Sequence, residues 1–123
     1  KDTLRIVDDQ IGAPTWARSI ALATHKILEQ YLRNKTEPSL SGIFHLTCQG
    51  KSSWHGFAKE ILSLSDASQN TQLLPIPTSD YPTPAVRPLY SLLSNDKLEK
   101  AFAFKMPHWH DTLKDCISST PAI

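Results

Sequence analysis

Residues 81–88 constrain this chain more than any other segment. They read Tyr-Pro-Thr-Pro-Ala-Val-Arg-Pro, with three prolines in eight residues. Each proline fixes φ at about −65° and removes an amide donor, so neither a helix nor a central strand can form here. The pattern predicts an ordered, extended loop that holds the Tyr81 ring and the Arg87 guanidinium in a fixed relation. Such a loop suits one wall of a site for a ligand with a flat ring and an anion.

Length and composition predict one ordinary globular domain. The chain has 123 residues, of which 40% are hydrophobic and 20% charged, and its net charge is +1. That balance gives no electrostatic reason to expect a nucleic acid or an anionic membrane as partner. Apolar runs are far shorter than the roughly 20 residues that span a bilayer, and no secretory signal opens the chain. The two cysteines, Cys48 and Cys116, form no CxxC pair, so we expect reduced thiols in a cytoplasmic protein, with a structural disulfide as the alternative.

The start of the chain is unusual for a complete protein. It begins with Lys1 rather than methionine, and a strand is already under way at Leu4. We therefore expect an excised domain whose N-terminal partner is missing.

Hydrophobic periodicity predicts an α/β fold, a small mixed lobe of about four helices and three to four short strands. Helices are expected after the N-caps Thr15, Ser52 or Ser53, and Asn95, and a last one opens at Pro107. Strands are expected at residues 4–7, 42–47 and 73–77, the last at a sheet edge because of its prolines. The predicted buried side of the first helix is Trp16, Ile20, Ala23, Ile27 and Tyr31, and that of the second is Trp54, Phe57, Ala58, Ile61 and Leu62.

Catalytic, metal and cofactor motifs find little support in the residues. The five histidines are scattered, and His108 and His110 lie two apart, which is not one helical face. The four glycines are isolated, so no dinucleotide fingerprint is present. The single Tyr-x-x-x-Lys pair, Tyr31 and Lys35, falls at a frayed helix end, where both residue types are ordinary. Asp8 and Asp9 point to opposite faces of an extended segment and should not share a proton. We therefore assign no catalytic, cofactor-binding or metal-binding residue.

What remains is a binding surface. Residues 9–15 form a tight polar loop before a helix N-terminus, where free amides and the helix dipole favour anions. Arg87 can contact a phosphate in bidentate fashion, and Tyr81 can stack on a planar ring. The alternative is that these residues only order two loops against each other.

Three segments together resemble one enzyme family. They are residues 7–15 (Val-Asp-Asp-Gln-Ile-Gly-Ala-Pro-Thr), residues 42–46 with 53–58, and residues 76–88 followed by Ser91, Leu98 and Pro107-His108-Trp109. In this order they resemble the C-terminal part of dTDP-4-dehydrorhamnose reductases, extended relatives of the short-chain dehydrogenases/reductases. The resemblance covers nearly the whole chain.

The resemblance implies an oxidoreductase of dTDP-rhamnose biosynthesis. In this family NADPH or NADH gives a hydride to the 4-keto carbon of dTDP-4-dehydro-L-rhamnose, making dTDP-L-rhamnose for bacterial lipopolysaccharide and other surface polysaccharides. The family's Rossmann domain carries the cofactor fingerprint and the catalytic Tyr-x-x-x-Lys, both upstream of the matching region. Residues 1–123 are then the sugar-nucleotide (substrate) binding domain of a Rossmann-type reductase, without its NAD(P)-binding domain and inactive alone.

The resemblance also suggests which residues meet the substrate. The candidates are Gln10, Gly12, Thr15, Tyr81, Thr83 and Arg87. Of these we assign Arg87 to the diphosphate. Some family members hold Mg²⁺ with acidic residues at a subunit contact, but where we would place those residues this chain has Arg18 and Ser119. That departure speaks against the metal here.

Two other functions stay open at this point. In the regulatory subunit of methionine adenosyltransferase, a similar fold mediates interaction rather than rhamnose synthesis. A non-catalytic regulatory module is therefore one alternative. A reductase or epimerase of another nucleotide-sugar is the second, because these residues do not distinguish thymidine from uridine. The expected partners are a dTDP-sugar and the missing Rossmann domain. Dimerisation through the first helix is left open, and apolar surface exposed by the missing domain predicts some self-association.

Overall fold

The computed structural model describes residues 2–65 and 70–119. Four helices and a few short strands make up this part of the chain, which confirms the predicted small α/β lobe. The elements in chain order are β1 (Asp2–Val7), β2 (Ile11–Gly12), α1 (Ala17–Arg33), β3 (Ser52–Ser53), α2 (Trp54–Ser63), β4 (Thr71–Ile76), α3 (Asp96–Phe102) and α4 (Trp109–Ser119), with 3₁₀ turns at Pro38–Leu40 and Thr78–Asp80.

The main sheet pairs the first strand with a distant one. β1 and β4 run parallel, with Asp2 opposite Thr71 and Val7 opposite Ile76. A parallel pair needs a long crossover, and α2 lies within it and packs against both strands. The predicted strands at residues 4–7 and 73–77 are thus confirmed, each slightly longer than or shifted from its prediction. A second, two-residue ladder joins β2 to β3 in antiparallel fashion.

The hydrophobic core lies between the C-terminal helices and the segment before α2. Leu98 and Phe102 of α3 are each 1% exposed, and Cys48 and Met106 are buried beside them. The rings of Phe44 and Phe102 meet edge to face at 5.3 Å between centroids. Aromatic pairs of this geometry add to the stabilisation that comes from burying apolar area, so this contact helps to hold α3 in the core.

The predicted strand at residues 42–47 is wrong. Among the described residues, this segment belongs to no strand ladder. Side chains satisfy its backbone instead: the Asn95 amide bonds both the N–H and the C=O of Thr47, and Lys97 donates to the Ile43 carbonyl. Asn95 stands at the N-cap position of α3 as predicted, but its side chain makes no capping hydrogen bond because it serves Thr47.

Two details of the predicted helices also need correction. Trp16, not Thr15, precedes α1, and no side chain caps that helix. The predicted buried side of α1 is buried at Ala23, whereas Ile20 and Tyr31 are 38% and 37% exposed. The other described elements therefore cover only part of the predicted buried side of α1. Ser53 caps α2 as expected, through a 2.9 Å hydrogen bond from the Gly56 amide.

Gly50 is required by its conformation and its neighbour. Its φ of +82° lies in the left-handed region, and a Cβ there would collide with the His108 ring. Beside this close approach, the Gln49 amide donates to the Pro107 carbonyl, and the Trp109 amide at the start of α4 donates to the Gln49 carbonyl. None of the helices in residues 2–65 and 70–119 is long and apolar enough to cross a membrane.

Candidate ligand-binding cleft

A cleft of about 1270 Å³ opens between the loop after β1, the start of α2, the proline-rich loop and α4. All six residues predicted to bind substrate line it, namely Gln10, Gly12, Thr15, Tyr81, Thr83 and Arg87. They come from two segments far apart in the chain, and the fold brings both to one concave surface.

The loop after β1 forms one wall. The Thr15 hydroxyl donates to the Ala13 carbonyl at 2.9 Å and accepts from the Cys48 amide at 3.1 Å, which ties this loop to the core. Gly12 lies close to Ser91, whose Oγ is 3.2 Å from the position that a Cβ would take. Thr15 therefore acts as a structural tie rather than as a helix cap, and the wall is held from both sides.

The proline-rich loop forms another part of the cleft lining. Residues 81–88 adopt neither helix nor strand, as predicted, and every one of them is exposed. The Thr83 hydroxyl donates to the Ala85 carbonyl at 2.7 Å and fixes a turn within the loop. Arg87 forms no ion pair or side-chain hydrogen bond with any other described residue, and the Tyr81 side chain is 58% exposed. Both groups are available to a ligand.

Aromatic side chains contributed by the helices complete the cleft. Trp16, Trp54, Phe57 and Trp109 line it, and the rings of Phe57 and Trp109 meet edge to face at 5.9 Å between centroids. The prediction that Trp54 lies on the buried side of α2 is wrong, because Trp54 is 60% exposed and lines the cleft. Its position directly after the Ser53 cap was the available signal, since a side chain in the first turn projects beyond the packed body of a helix.

The two adjacent carboxylates do separate work. The Asp8 carboxylate accepts a 2.5 Å hydrogen bond from the Ser53 hydroxyl and lies 3.6 Å from His55 Nδ1. The Asp9 carboxylate accepts from both the hydroxyl and the amide of Thr78. These bonds, that of the hydroxyl first, hold the pKa of Asp9 below its ordinary value of 3.8. Asp9 thus orients the chain after β4.

The other residues considered from the sequence lie elsewhere. Tyr31 and Lys35 do not line the cleft. Arg18 lies over the Trp16 ring at 5.6 Å, a cation–π contact rather than an arrangement for a metal. Within the described ranges, no cluster of three or more histidine, cysteine or acidic residues could hold a metal ion. The cleft offers a free guanidinium, exposed aromatic rings and tied polar loops, which are groups for binding a ligand.

Comparison with known proteins identifies the family. The family described as the RmlD substrate binding domain matches residues 1–121. The dTDP-4-dehydrorhamnose reductase of Burkholderia thailandensis is 40% identical over 95% of this chain, which spans 42% of that protein. The reductase of Sinorhizobium fredii is 39% identical over 92% of this chain, which spans 38% of it. The crystal structure of the Bacillus anthracis reductase in complex with NADP superposes with a TM-score of 0.82 at 29% identity, over 98% of this chain and 39% of that one. The chain therefore spans about two fifths of these relatives, and it belongs to the RmlD substrate-binding domain family.

Proposed function

We propose that residues 1–123 form the sugar-nucleotide binding domain of a reductase that converts dTDP-4-dehydro-L-rhamnose to dTDP-L-rhamnose. Membership of the family and the names of the relatives support this assignment. Because the chain spans about two fifths of those relatives, we assign the reaction chemistry to a Rossmann domain outside it. This domain alone should bind the substrate without turning it over.

One observation carries the proposal: both predicted binding segments line the same cleft. Ligand pockets commonly measure about 300–1,000 Å³, so a cleft of about 1270 Å³ has room for a nucleoside diphosphate sugar. A dTDP-sugar presents a flat base, an anionic diphosphate and a hydroxyl-rich ring. The cleft offers a group complementary to each of these.

The roles of the residues follow from their chemistry. Arg87 is exposed and has no acidic partner among the described residues, so its guanidinium is available to the diphosphate. Tyr81 presents a ring for stacking on a planar group. Gln10, Gly12 and Thr15 line the same cleft from the loop after β1, and there we place the remainder of the sugar-nucleotide. Thr83 stabilises the turn between Tyr81 and Arg87.

We propose that the cofactor binds to the Rossmann domain outside this chain. NADPH or NADH, when bound there, supplies the hydride for the reduction; the Bacillus anthracis relative was crystallised with NADP. This chain presents only isolated glycines, which do not fit a dinucleotide loop. Its own residues would hold and orient the substrate and keep water from one face of it. We place the pathway in the cytoplasm and its product in bacterial surface polysaccharide such as lipopolysaccharide.

A titration followed by NMR tests the proposal. Adding dTDP-rhamnose, dTDP and UDP to the ¹⁵N-labelled chain should shift amides of residues 9–15 and 81–87 saturably, with the two thymidine ligands binding more tightly than UDP. Hydrogen bonds to charged groups contribute about 1.5–3 kcal/mol, so Arg87→Ala should weaken binding roughly ten- to a hundredfold. The control is Arg33→Ala, because Arg33 lies at the end of α1, outside the cleft.

The other outcomes separate the alternatives. Equal affinity for dTDP and UDP would favour an enzyme of another nucleotide-sugar. If none of the three ligands binds, the same titration with a longer protein that includes the upstream domain decides further. Binding and NADPH oxidation by that protein would assign the affinity to both domains together. Failure there as well would favour a regulatory module.

A further inference from the structure

Residues 8–11 bind both ends of the longer loop that contains the proline-rich residues 81–88. At the start of the loop, the Asp8 amide donates to the Ile76 carbonyl at 2.9 Å. At its end, the Ile11 amide donates to the Leu89 carbonyl, and the Ser91 amide donates back to Ile11, both at 2.8 Å. Residues 77–88 therefore form a loop whose two ends are both hydrogen-bonded to residues 8–11. We call residues 77–88 the hoop.

Asp9 makes the strongest contacts at the N-terminal end of the hoop. Its carboxylate accepts the Thr78 amide at 2.9 and 3.0 Å and the Thr78 hydroxyl at 2.5 Å. Gln10 Nε2 in turn donates to the same hydroxyl oxygen at 3.1 Å. The hydroxyl thus both donates and accepts, and the carboxylate forms a charge-assisted fork. We call this set the Asp9–Thr78 clamp.

Beyond the clamp the hoop has few other restraints. The pair Arg5–Asp80 is 3.3 Å long, but its side chains are 59% and 48% exposed, and such surface pairs contribute little. The bond from Thr83 to Ala85 lies within the hoop and does not attach it to the rest of the lobe. Residues 79–88 are all exposed, so packing does not position them either. The hydrogen bonds at the two ends of the hoop must therefore determine the positions of Tyr81 and Arg87.

We infer that Asp9 is a positioning residue, which acts through Thr78 to hold Tyr81 and Arg87 of the hoop over the cleft. Asp9 does not line the cleft itself, whereas its neighbour Gln10 does. When the clamp is released, the hoop should sample more conformations, and a ligand must then order it on binding. The side chains of Tyr81 and Arg87 then lose conformational freedom when the ligand binds, and we expect a loss of affinity of about tenfold.

The inference rests on the proposed function only for the identity of the ligand, so its test has two independent readouts. The first is the dissociation constant of dTDP, and the second is the ¹⁵N relaxation of amides in residues 79–87 without ligand. The variants are Asp9→Asn, Thr78→Val, the double variant and the conservative Thr78→Ser. Asp8→Asn is the matched control, because it removes the same charge one residue away without touching Thr78.

Asp9→Asn and Thr78→Val should each weaken dTDP about tenfold and increase the fast motion of the hoop amides. The double variant should bind no more weakly than either single variant, because both remove one coupled contact. Thr78→Ser should restore affinity to within about threefold of the original, and Asp8→Asn should leave the hoop amides unchanged.

Two results would overturn the inference. The first is unchanged relaxation of residues 79–87 in Asp9→Asn, with the amides of α3 still native. The second is a double variant whose losses simply add. If dTDP does not bind even the original chain, the proposed function is decided with the longer protein that includes the upstream domain, while the relaxation readout on this chain still decides the role of Asp9. If Asp9→Asn does not fold, Thr78→Val and Thr78→Ser carry both readouts, because the inference requires the same effect from either side of the clamp.

Discussion

At the scale of single residues, Ala103 holds an unfavourable conformation. It ends α3 with φ of 53° and ψ of 35°, in the left-handed region, where its amide bonds the Glu99 carbonyl. This conformation costs an L-residue about 1–2 kcal/mol, and glycine adopts it freely at the price of greater entropy in the unfolded chain. Ala103→Gly should therefore raise the free energy of unfolding by about 0.5–1 kcal/mol, as measured by urea denaturation.

The same substitution two residues earlier is the control. Ala101 lies inside α3, where glycine lacks the helix propensity of alanine and costs about 1 kcal/mol. Ala101→Gly should therefore lower the free energy of unfolding. Equal signs for the two variants would contradict the conformational argument.

Asp9 should make the stability of the lobe depend on pH. Because hydrogen bonds from Thr78 depress the pKa of Asp9 in the folded state, the unfolded chain binds more protons just below the ordinary value of 3.8. The stabilisation is fully present above that value and is lost as pH falls through the lower folded pKa. The difference in unfolding free energy between the original chain and Thr78→Val should accordingly be constant near neutral pH and shrink below about pH 4. Urea denaturation across pH 2–7 measures it, and a difference that grows on acidification would contradict this account.

At the scale of elements, the start of α2 depends on one hydroxyl. Ser53 Oγ accepts from the Gly56 amide at 2.9 Å and donates to Asp8 at 2.5 Å, so it joins the helix to the loop after β1. Loss of an N-cap serine costs about 0.5–2 kcal/mol. Ser53→Ala should destabilise the chain by about 1–2 kcal/mol in urea denaturation. Ser63→Ala, at the exposed end of the same helix, should change stability by less than about 0.5 kcal/mol. Similar losses of unfolding free energy in both variants would contradict the argument that the Ser53 cap stabilises α2.

The elements also mark how far local sequence patterns predict this fold. Periodicity located all four helices and the β1 and β4 segments, because each buries one face of a regular element. Residues 42–47 have equally good strand composition, yet their backbone bonds Asn95 and Lys97 across a long sequence separation. No local pattern shows that an asparagine will serve a distant carbonyl rather than the helix that it precedes. Strand propensity describes a side-chain surface, and the partner decides the ladder.

The cleft was predictable for a different reason. Residues 81–88 could only be a loop, and residues 9–15 precede a helix, so their chemistry pointed to binding whatever the details of packing. Trp54 was missed because apolar periodicity does not show which turn of a helix projects into solvent. The predicted capping role of Thr15 is wrong, since its hydroxyl ties the loop to Cys48 and does not cap α1.

At the scale of the whole molecule, α1 leaves an uncharged face exposed. Ile20, Leu28 and Leu32 fall on one side of the helix and are 38%, 52% and 59% exposed, whereas its charged residues occupy the other side. An apolar face of this kind predicts self-association of the isolated chain. Leu28→Glu should shift the sedimentation coefficient toward that of the monomer. Leu22→Glu introduces the same charge on the opposite side, at 59% exposure, and should have no effect. A monodisperse monomer at high concentration of the original chain would refute the prediction.

The pairing of β1 with β4 has a consequence for how the chain is made. On the ribosome, β1 emerges about seventy residues before the strand that completes its ladder in this lobe. At roughly 5–20 residues per second, that separation corresponds to several seconds of synthesis. A helix such as α1 forms in about a microsecond, so the first half of the lobe gains its helix long before its sheet. During that interval β1 has open backbone donors and acceptors, and nascent chains that crowd together are most prone to wrong strand pairing before Thr71–Ile76 has been translated.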